Sequence, residues 1–377
     1  MIDGKTRANA GKKTEAVLVS PLAQVVIKGR GAVSNPHVRF HQQISEPIVD
    51  DWWHPEGDGP EDYKLETTII EDRGRTIITS NSSPDIPFTY SINPYRGCEH
   101  GCIYCYARPT HAYWDLSPGL DFETKIITKP NAAQLLHKAL SHPKYECSTI
   151  HIGANTDPYQ PLEVKIKTTR SILEVMQTFH QPFSIITKGT LIIRDLDILA
   201  DMASRNLCSV AVSVTSLSTD LKRILEPRTA SGAARLKTIK TLVDAGVPVR
   251  MMVAPVIPMI NDSEVEDILR AGKEAGVTSA AMIFIRLPRE VSPLFREWLA
   301  VHYPQRADHV MSLIQQSRNG KDYQSGYYQR MTGEGVFAEM IRRRFEVAAR
   351  KLGINTAART DLDTNQFKRV HQQLSLF

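Results

Sequence analysis

From about residue 86 onward, apolar positions alternate between two rhythms. Short apolar runs at 88–92, 149–153, 183–187, 209–214, 249–254 and 279–285 have the length and composition of strands. Between them, apolar residues recur at three- and four-residue steps, the spacing of one helix face. Leu135, Leu136 and Leu140 mark such a face in 131–140, and Ile172, Met176 and Phe179 in 168–180. Leu196, Leu199, Ala200 and Ala203 do so in 194–205, and Leu236, Ile239, Leu242 and Val243 in 233–245. Two further helices are expected at 263–275 and 292–301. Gly246 suits a helix C-terminus, and Ser263 with Glu266 has capping-box spacing. Pro293 suits the first position of the sixth helix.

Strands alternating with helices predict an α/β fold with a parallel sheet. The strands read as apolar on both faces, as buried parallel strands do. Six repeats fall short of the eight that close a full barrel. The expected architecture is therefore a partial, open (βα)6 barrel over 86–302, with chemistry at the C-terminal ends of its strands. An irregular basic extension (1–85) precedes it, containing Lys12, Lys13, Lys28, Arg30 and Arg39. Its residues 50–60, with Trp52 and Trp53, read as a linker or covering flap, and 1–20 as a mobile tail. A helical extension (303–377) follows. It has tyrosines Tyr323, Tyr327 and Tyr328, then a basic amphipathic helix at 337–352 with Met340, Ile341, Phe345 and Ala348 inward.

Composition changes this picture little. The 377 residues carry a net charge of +5, which permits a nucleic-acid partner without requiring one. No apolar run is long enough to cross a bilayer, and the basic start lacks the apolar stretch of a secretory leader. The expectation is a cytoplasmic protein with no membrane partner.

The cysteines change it more. Three of the five, Cys98, Cys102 and Cys105, lie in 93–108, reading NPYRGCEHGCIYCYAR. An odd count with three clustered favours metal ligation over disulfides. A cubane iron–sulfur cluster normally takes four thiolates; three would leave one iron open to a substrate or cofactor. The alternative is zinc, with His100 or His111 as a fourth ligand, although no second ligand pair stands at zinc-finger spacing. Arg96 and Arg108 flank the thiols and could offset their charge; for Arg108 a surface position is the better reading. Cys147 and Cys208 lie before strands and read as inert small hydrophobes.

Cys-x3-Cys-x-Tyr-Cys after the first strand of such a series resembles the radical S-adenosylmethionine (SAM) superfamily, over roughly 86–302. With HIGANTDPYQPLE at 151–163, it looks like the photolyase-like branch related to spore photoproduct lyase. The resemblance implies a [4Fe-4S] cluster on Cys98, Cys102 and Cys105, with SAM bound at the open iron. It implies one-electron cleavage of SAM and abstraction of a hydrogen atom from a substrate. The substrate could be a nucleic-acid base lesion, as in DNA repair, or a protein or small metabolite. An electron donor such as flavodoxin or ferredoxin is implied. In the family Tyr104 packs near adenine. Asn155, Thr156 and Asp157 stand where the SAM amino group is held, although the family's glycine/glutamate motif is absent. Lys188 would meet the SAM carboxylate or an anionic substrate, and Arg228 that carboxylate. Ser213 and Thr215 would bond the ribose, and Val256, Ile257 and Pro258 would contact adenine. Spore photoproduct lyases carry a hydrogen-donating cysteine on the segment that is here 153–157, which has no thiol. A non-enzymatic metal-binding protein with a nucleic-acid partner is the alternative of another class. For a nucleic-acid substrate, Tyr323, Tyr327 or Tyr328 would stack on bases, and residues 342–344 would contact phosphates.

Overall fold

A computed structural model describes residues 27–40, 65–357 and 361–370. The readings of Trp52, Trp53, Lys12, Lys13 and the first twenty residues lie outside the described residues. The strands are β1 (Thr68–Glu71), β2 (Thr79–Ser80), β3 (Tyr90–Ile92), β4 (Tyr95–Arg96), β5 (Lys125–Thr128), β6 (Ile150–Ile152), β7 (Phe183–Thr187), β8 (Cys208–Ser213), β9 (Val249–Val256) and β10 (Ser279–Phe284).

The main sheet has the order β10-β9-β8-β7-β6-β3-β2. Its six strands from β3 to β10 pair in parallel, each beside its neighbour in sequence, and β2 adds antiparallel to β3. Right-handed crossovers between sequential parallel strands put every connecting helix on one side. The packing agrees: Ile152, Ile185, Val212 and Met251 share one core with Leu136, Ile172, Leu199, Ile239 and Ile268 from the helices. Each such side chain contributes roughly 1.5–3 kcal/mol on burial. The sheet ends at β10 and β2 without closing, which is the open barrel expected from six repeats.

The strands are not apolar on both faces. His151, Ser184, Ser209 and Arg250 alternate with the core residues and are only half buried, because helices cover one face alone. A second, small sheet, β1-β5-β4, lies beside the barrel. The hydrophobic pattern does not reveal it: β1 is largely exposed, and its partner β5 lies more than fifty residues away in sequence.

The helices Ala132–Leu140, Thr168–Phe179, Leu196–Ser204, Gly232–Asp244, Val265–Glu274 and Val291–His302 match the expected six. Gly246 takes the left-handed conformation just past its helix, as expected. Three local expectations fail. Ser263 and Glu266 form no capping box, since the helix begins at Val265 without a side-chain cap and Glu266 is paired with Arg344. Pro293 stands third in its helix, after Val291 and Ser292. In the last helix, Gly335–Lys351, Met340 faces solvent, while Ala338, Ile341, Phe345 and Ala349 are buried.

Candidate functional site

The cysteine loop leaves β3 at its C-terminal end. β4 turns it back antiparallel against β5, with Tyr95 opposite Thr128. Two glycines shape the loop. Gly97 and Gly101 both have positive φ, and an added Cβ on Gly101 would lie 2.8 Å from Glu123 Oε2. The Cys98 N–H donates to the Phe122 carbonyl at 2.8 Å.

Glu123 is the hub beneath the loop. It is fully buried and accepts from the Gly31 and Ala32 N–H groups and from Arg108 Nη2 at 2.5 Å. Arg108 also donates to the carbonyls of Cys102, Pro118 and Gly119. Arg108 is thus completely buried, not at the surface as its sequence context suggests. Arg96 is exposed and covers the Trp114 ring. The basic arm at 30–32 lies directly on the loop: a Cβ on Gly31 would stand 1.8 Å from the Gly101 carbonyl oxygen.

Residues 153–163 brace the other side. Gln160 accepts from Glu99 N and donates to the Gly97 carbonyl, gripping the loop on both sides of Cys98. Glu163 accepts from the Tyr95 hydroxyl, Thr169 N and Arg194. Asn155 N donates to Asn93, and its amide nitrogen to Thr110. Asp157 Oδ1 accepts from Thr187 Oγ1 and Tyr159 N, and its Oδ2 accepts from Lys188 N, with His100 Nδ1 3.3 Å from Oδ2. Burial alone would raise its carboxyl, but His100, Thr187 and the Lys188 N–H outweigh burial and hold it at about 2.

The expected site residues gather unevenly. Tyr104 is buried, with its hydroxyl bonded to Glu226. The Lys188 ammonium lies 5.9 Å from the Tyr104 ring centroid and close enough to lower the Cys102 and Cys105 thiols. Arg228 Nη1 is 3.2 Å from Glu99 Oε1. Ser213 is buried and its carbonyl accepts from Arg235, while Thr215 bonds Glu226 and the Ala254 carbonyl. Val256 and Ile257 are buried in two different apolar clusters. Cys147 and Cys208 lie apart; burial pushes their thiols up to about 11 and about 12.

Burial, then Asp157 and the other two thiols, push the Cys98 thiol well up. Burial and Glu226 raise Cys102, and burial raises Cys105 against the opposing Arg108. Thiols bind metals as thiolates, so these three thiols, Cys98 and Cys102 buried and Cys105 partly so, need a cationic centre to ionise them. An iron–sulfur group supplies that charge, and the donor set fits it. Among the described residues, no three His, Cys, Asp or Glu side chains converge on a single-ion site.

Glu123, Gln160, Glu163 and Glu226 are not among the site residues expected from the sequence. Gln160 and Glu163 stand inside HIGANTDPYQPLE and Glu226 two residues before Arg228, which was their available signal. Glu123 has none.

Residues 92–272 match the family model of the radical SAM superfamily. An uncharacterized protein of Mycobacterium tuberculosis is 39% identical over 222 residues, which cover 58% of this chain and 65% of the relative. An uncharacterized protein of Methanocaldococcus jannaschii is 29% identical over 216 residues, covering 57% of this chain and 77% of the relative. The structure is similar to that of a spore photoproduct lyase mutant, with a TM-score of 0.53 and 16% identity, covering 76% of this chain and 80% of that one. A complex of that lyase with bound AdoMet and dinucleoside spore photoproduct superposes equally well, with a TM-score of 0.53. No helix among the described residues is long and apolar enough to cross a membrane.

Proposed function

We propose that this chain, whose residues 92–272 match the radical SAM family model, is a member of that superfamily: an enzyme that holds a [4Fe-4S] cluster on Cys98, Cys102 and Cys105 and cleaves SAM. The observation that carries this reading is the trio of thiols on one braced loop at the C-terminal mouth of an open parallel barrel. When bound, the cluster and SAM supply an electron and a 5′-deoxyadenosyl radical able to take a hydrogen atom from a substrate.

The chain's own residues do the rest. Gln160, Arg108 and Glu123 fix the loop that presents the three sulfurs. The Lys188 ammonium lies over the Tyr104 face, and it offers its charge to the SAM carboxylate or to an anionic substrate. Asn155 and the 153–157 backbone stand beside the loop where the SAM amino group would be held, and Asp157 orients His100 and the start of the Lys188 turn. Arg228, held by Glu99, stands at the loop's outer edge as a second carboxylate partner. Ser213 and Val256, at the ends of β8 and β9, would border the nucleoside. A small redox protein such as flavodoxin or ferredoxin would deliver the electron.

For the substrate we favour a nucleic-acid base. The support is a set of exposed aromatic rings each paired with an arginine: Tyr106 with Arg286, Tyr113 with Arg39, and Tyr327 with Arg330. Stacking rings beside guanidinium groups suit unstacked bases and their phosphates. Arg342 and Arg344 are paired with Glu339 and Glu266, as Arg39 is with Glu290 and Arg330 with Asp85, so this reading assigns the phosphate contacts first to Arg286, over Tyr106, and to the exposed Arg343.

The test is 5′-deoxyadenosine release after anaerobic cluster reconstitution and reduction. The reading expects release from the wild type and its disappearance in Cys102→Ala; no release from a fully reconstituted wild type would refute it. For the substrate, log K for oligonucleotide binding should fall with log salt, and a slope near zero would remove the nucleic-acid reading.

A further inference from the structure

The segment Leu225–Arg228 runs along the back of the cysteine loop. Arg228 N donates to the His100 carbonyl at 3.2 Å, and Ile103 N donates to the Leu225 carbonyl at 3.2 Å. Pro227 Cγ would meet a Cβ on Gly101 at 3.2 Å. Between these contacts, Glu226 points inward. It is 2% exposed and accepts from the Tyr104 hydroxyl, from Thr215 Oγ1 at 2.7 Å and from Arg235. Arg235 is equally buried, and its remaining donors go to Thr229 Oγ1 at 2.7 Å and to the Ser213 and Ala230 carbonyls at 2.9 Å.

A buried carboxylate and a buried guanidinium are thus fixed behind the loop, the carboxylate bonded directly to Tyr104, one of the two residues between Cys102 and Cys105. Two full charges in a low-dielectric setting are felt over a longer range than at a surface. Hydrogen bonding and charge around a cluster's ligands are among the levers that set its reduction potential. The loop's phenol and backbone lock the pair's position relative to the sulfurs, so the charge cannot relax away.

We infer that Glu226 and Arg235 are positioning residues whose buried, opposed charges fix Tyr104 and set the reduction potential of the cluster held by the adjacent loop. This rests on the cluster-binding reading above. The carboxylate disfavours the added electron and the guanidinium favours it; together they nearly cancel. Glu226→Gln keeps an acceptor for Tyr104 and Thr215 but leaves Arg235 uncompensated. Removing both charges restores neutrality.

The experiment is an EPR-monitored redox titration of the reconstituted holoprotein, without substrate, alongside iron and sulfide content. Glu226→Gln is expected to shift the midpoint positive by about tenfold in the one-electron equilibrium, ~59 mV. The double variant Glu226→Gln/Arg235→Gln should return it most of the way. Thr215→Val, which removes a neutral bond to the same carboxylate, should leave it in place. A purely structural role would make the double variant worse than the single one. A full cluster complement with an unmoved midpoint in Glu226→Gln would overturn the inference while leaving the cluster reading intact. A wild type that assembles no cluster would refute the cluster reading itself. Should Glu226→Gln fail to fold, Arg235→Gln decides: it leaves the carboxylate uncompensated and is expected to shift the midpoint negative, and an unmoved midpoint at a full cluster complement overturns the inference.

Discussion

Arg108→Met tests how the cysteine loop is held. Arg108 and Glu123 are both fully buried, 2.5 Å apart, and Arg108 also donates to three buried carbonyls. Removing one member of a buried ion pair costs ~3–5 kcal/mol, because the partner's charge stays behind without compensation. The lost carbonyl contacts add about 1 kcal/mol, since methionine still fills much of the space. The total of about 4–6 kcal/mol is comparable with the whole stability of many domains. At ~2 °C per kcal/mol for a chain of this size, the melting temperature should fall by ~8–12 °C. The assay is thermal unfolding followed by circular dichroism, with urea unfolding as a check. Arg108→Met/Glu123→Leu removes both charges and should recover at least half of the loss. A fall of less than 2 °C in the single variant, or a double variant less stable than it, would refute the argument that this ion pair anchors the loop.

Further tests address other parts of the structure. Asp157 is held at about 2, below its ordinary value of 3.8, so its stabilisation is present above pH ~4 and lost as pH falls through about 2. Asp157→Asn should therefore be less stable by roughly 2–3 kcal/mol at pH 7 and show a shallower loss of stability between pH 4 and 2, read from urea midpoints; an unchanged slope would contradict the assignment. Gly31→Ala would force a Cβ to within 1.8 Å of the Gly101 carbonyl oxygen, so it should lower stability by ~2–4 kcal/mol and reduce iron retention, and a melt matching the wild type would show that the arm does not lie on the loop. Cys147 and Cys208 have thiols pushed up to about 11 and about 12, so in the folded protein neither should be alkylated by iodoacetamide within an hour at pH 7.5, as read by mass spectrometry; rapid labelling of Cys208 would count against its burial.

The hydrophobic rhythm carried most of the barrel, because each strand faces helices on one side and each helix shows one apolar stripe to the sheet. It could not show β1 and β4. These are only four and two residues long, and they pair only with β5. The capping box at Ser263 and Glu266 failed because Glu266 found a stronger partner in Arg344, some eighty residues away. The three cysteines were legible from spacing alone, since ligation demands specific atoms at specific intervals. Their support was not. Arg108 and Glu123 look like surface charges until the fold buries them against each other, and a linear pattern carries no sign of such a match. Gln160 and Glu163 stand in the motif at 151–163 and Glu226 close before Arg228, where the sequence suggests ligand contacts. Their observed partners are the loop's own backbone and side chains, and that becomes visible only when separate strand ends meet at the barrel mouth.

The central claim is that Cys98, Cys102 and Cys105 hold an iron–sulfur cluster. Its most direct test is iron, sulfide and zinc analysis of the anaerobically purified and reconstituted full chain. The expected result is about four iron and about four sulfide per chain, as a [4Fe-4S] cluster requires, lost together in Cys102→Ala. One zinc per chain with no sulfide would contradict it.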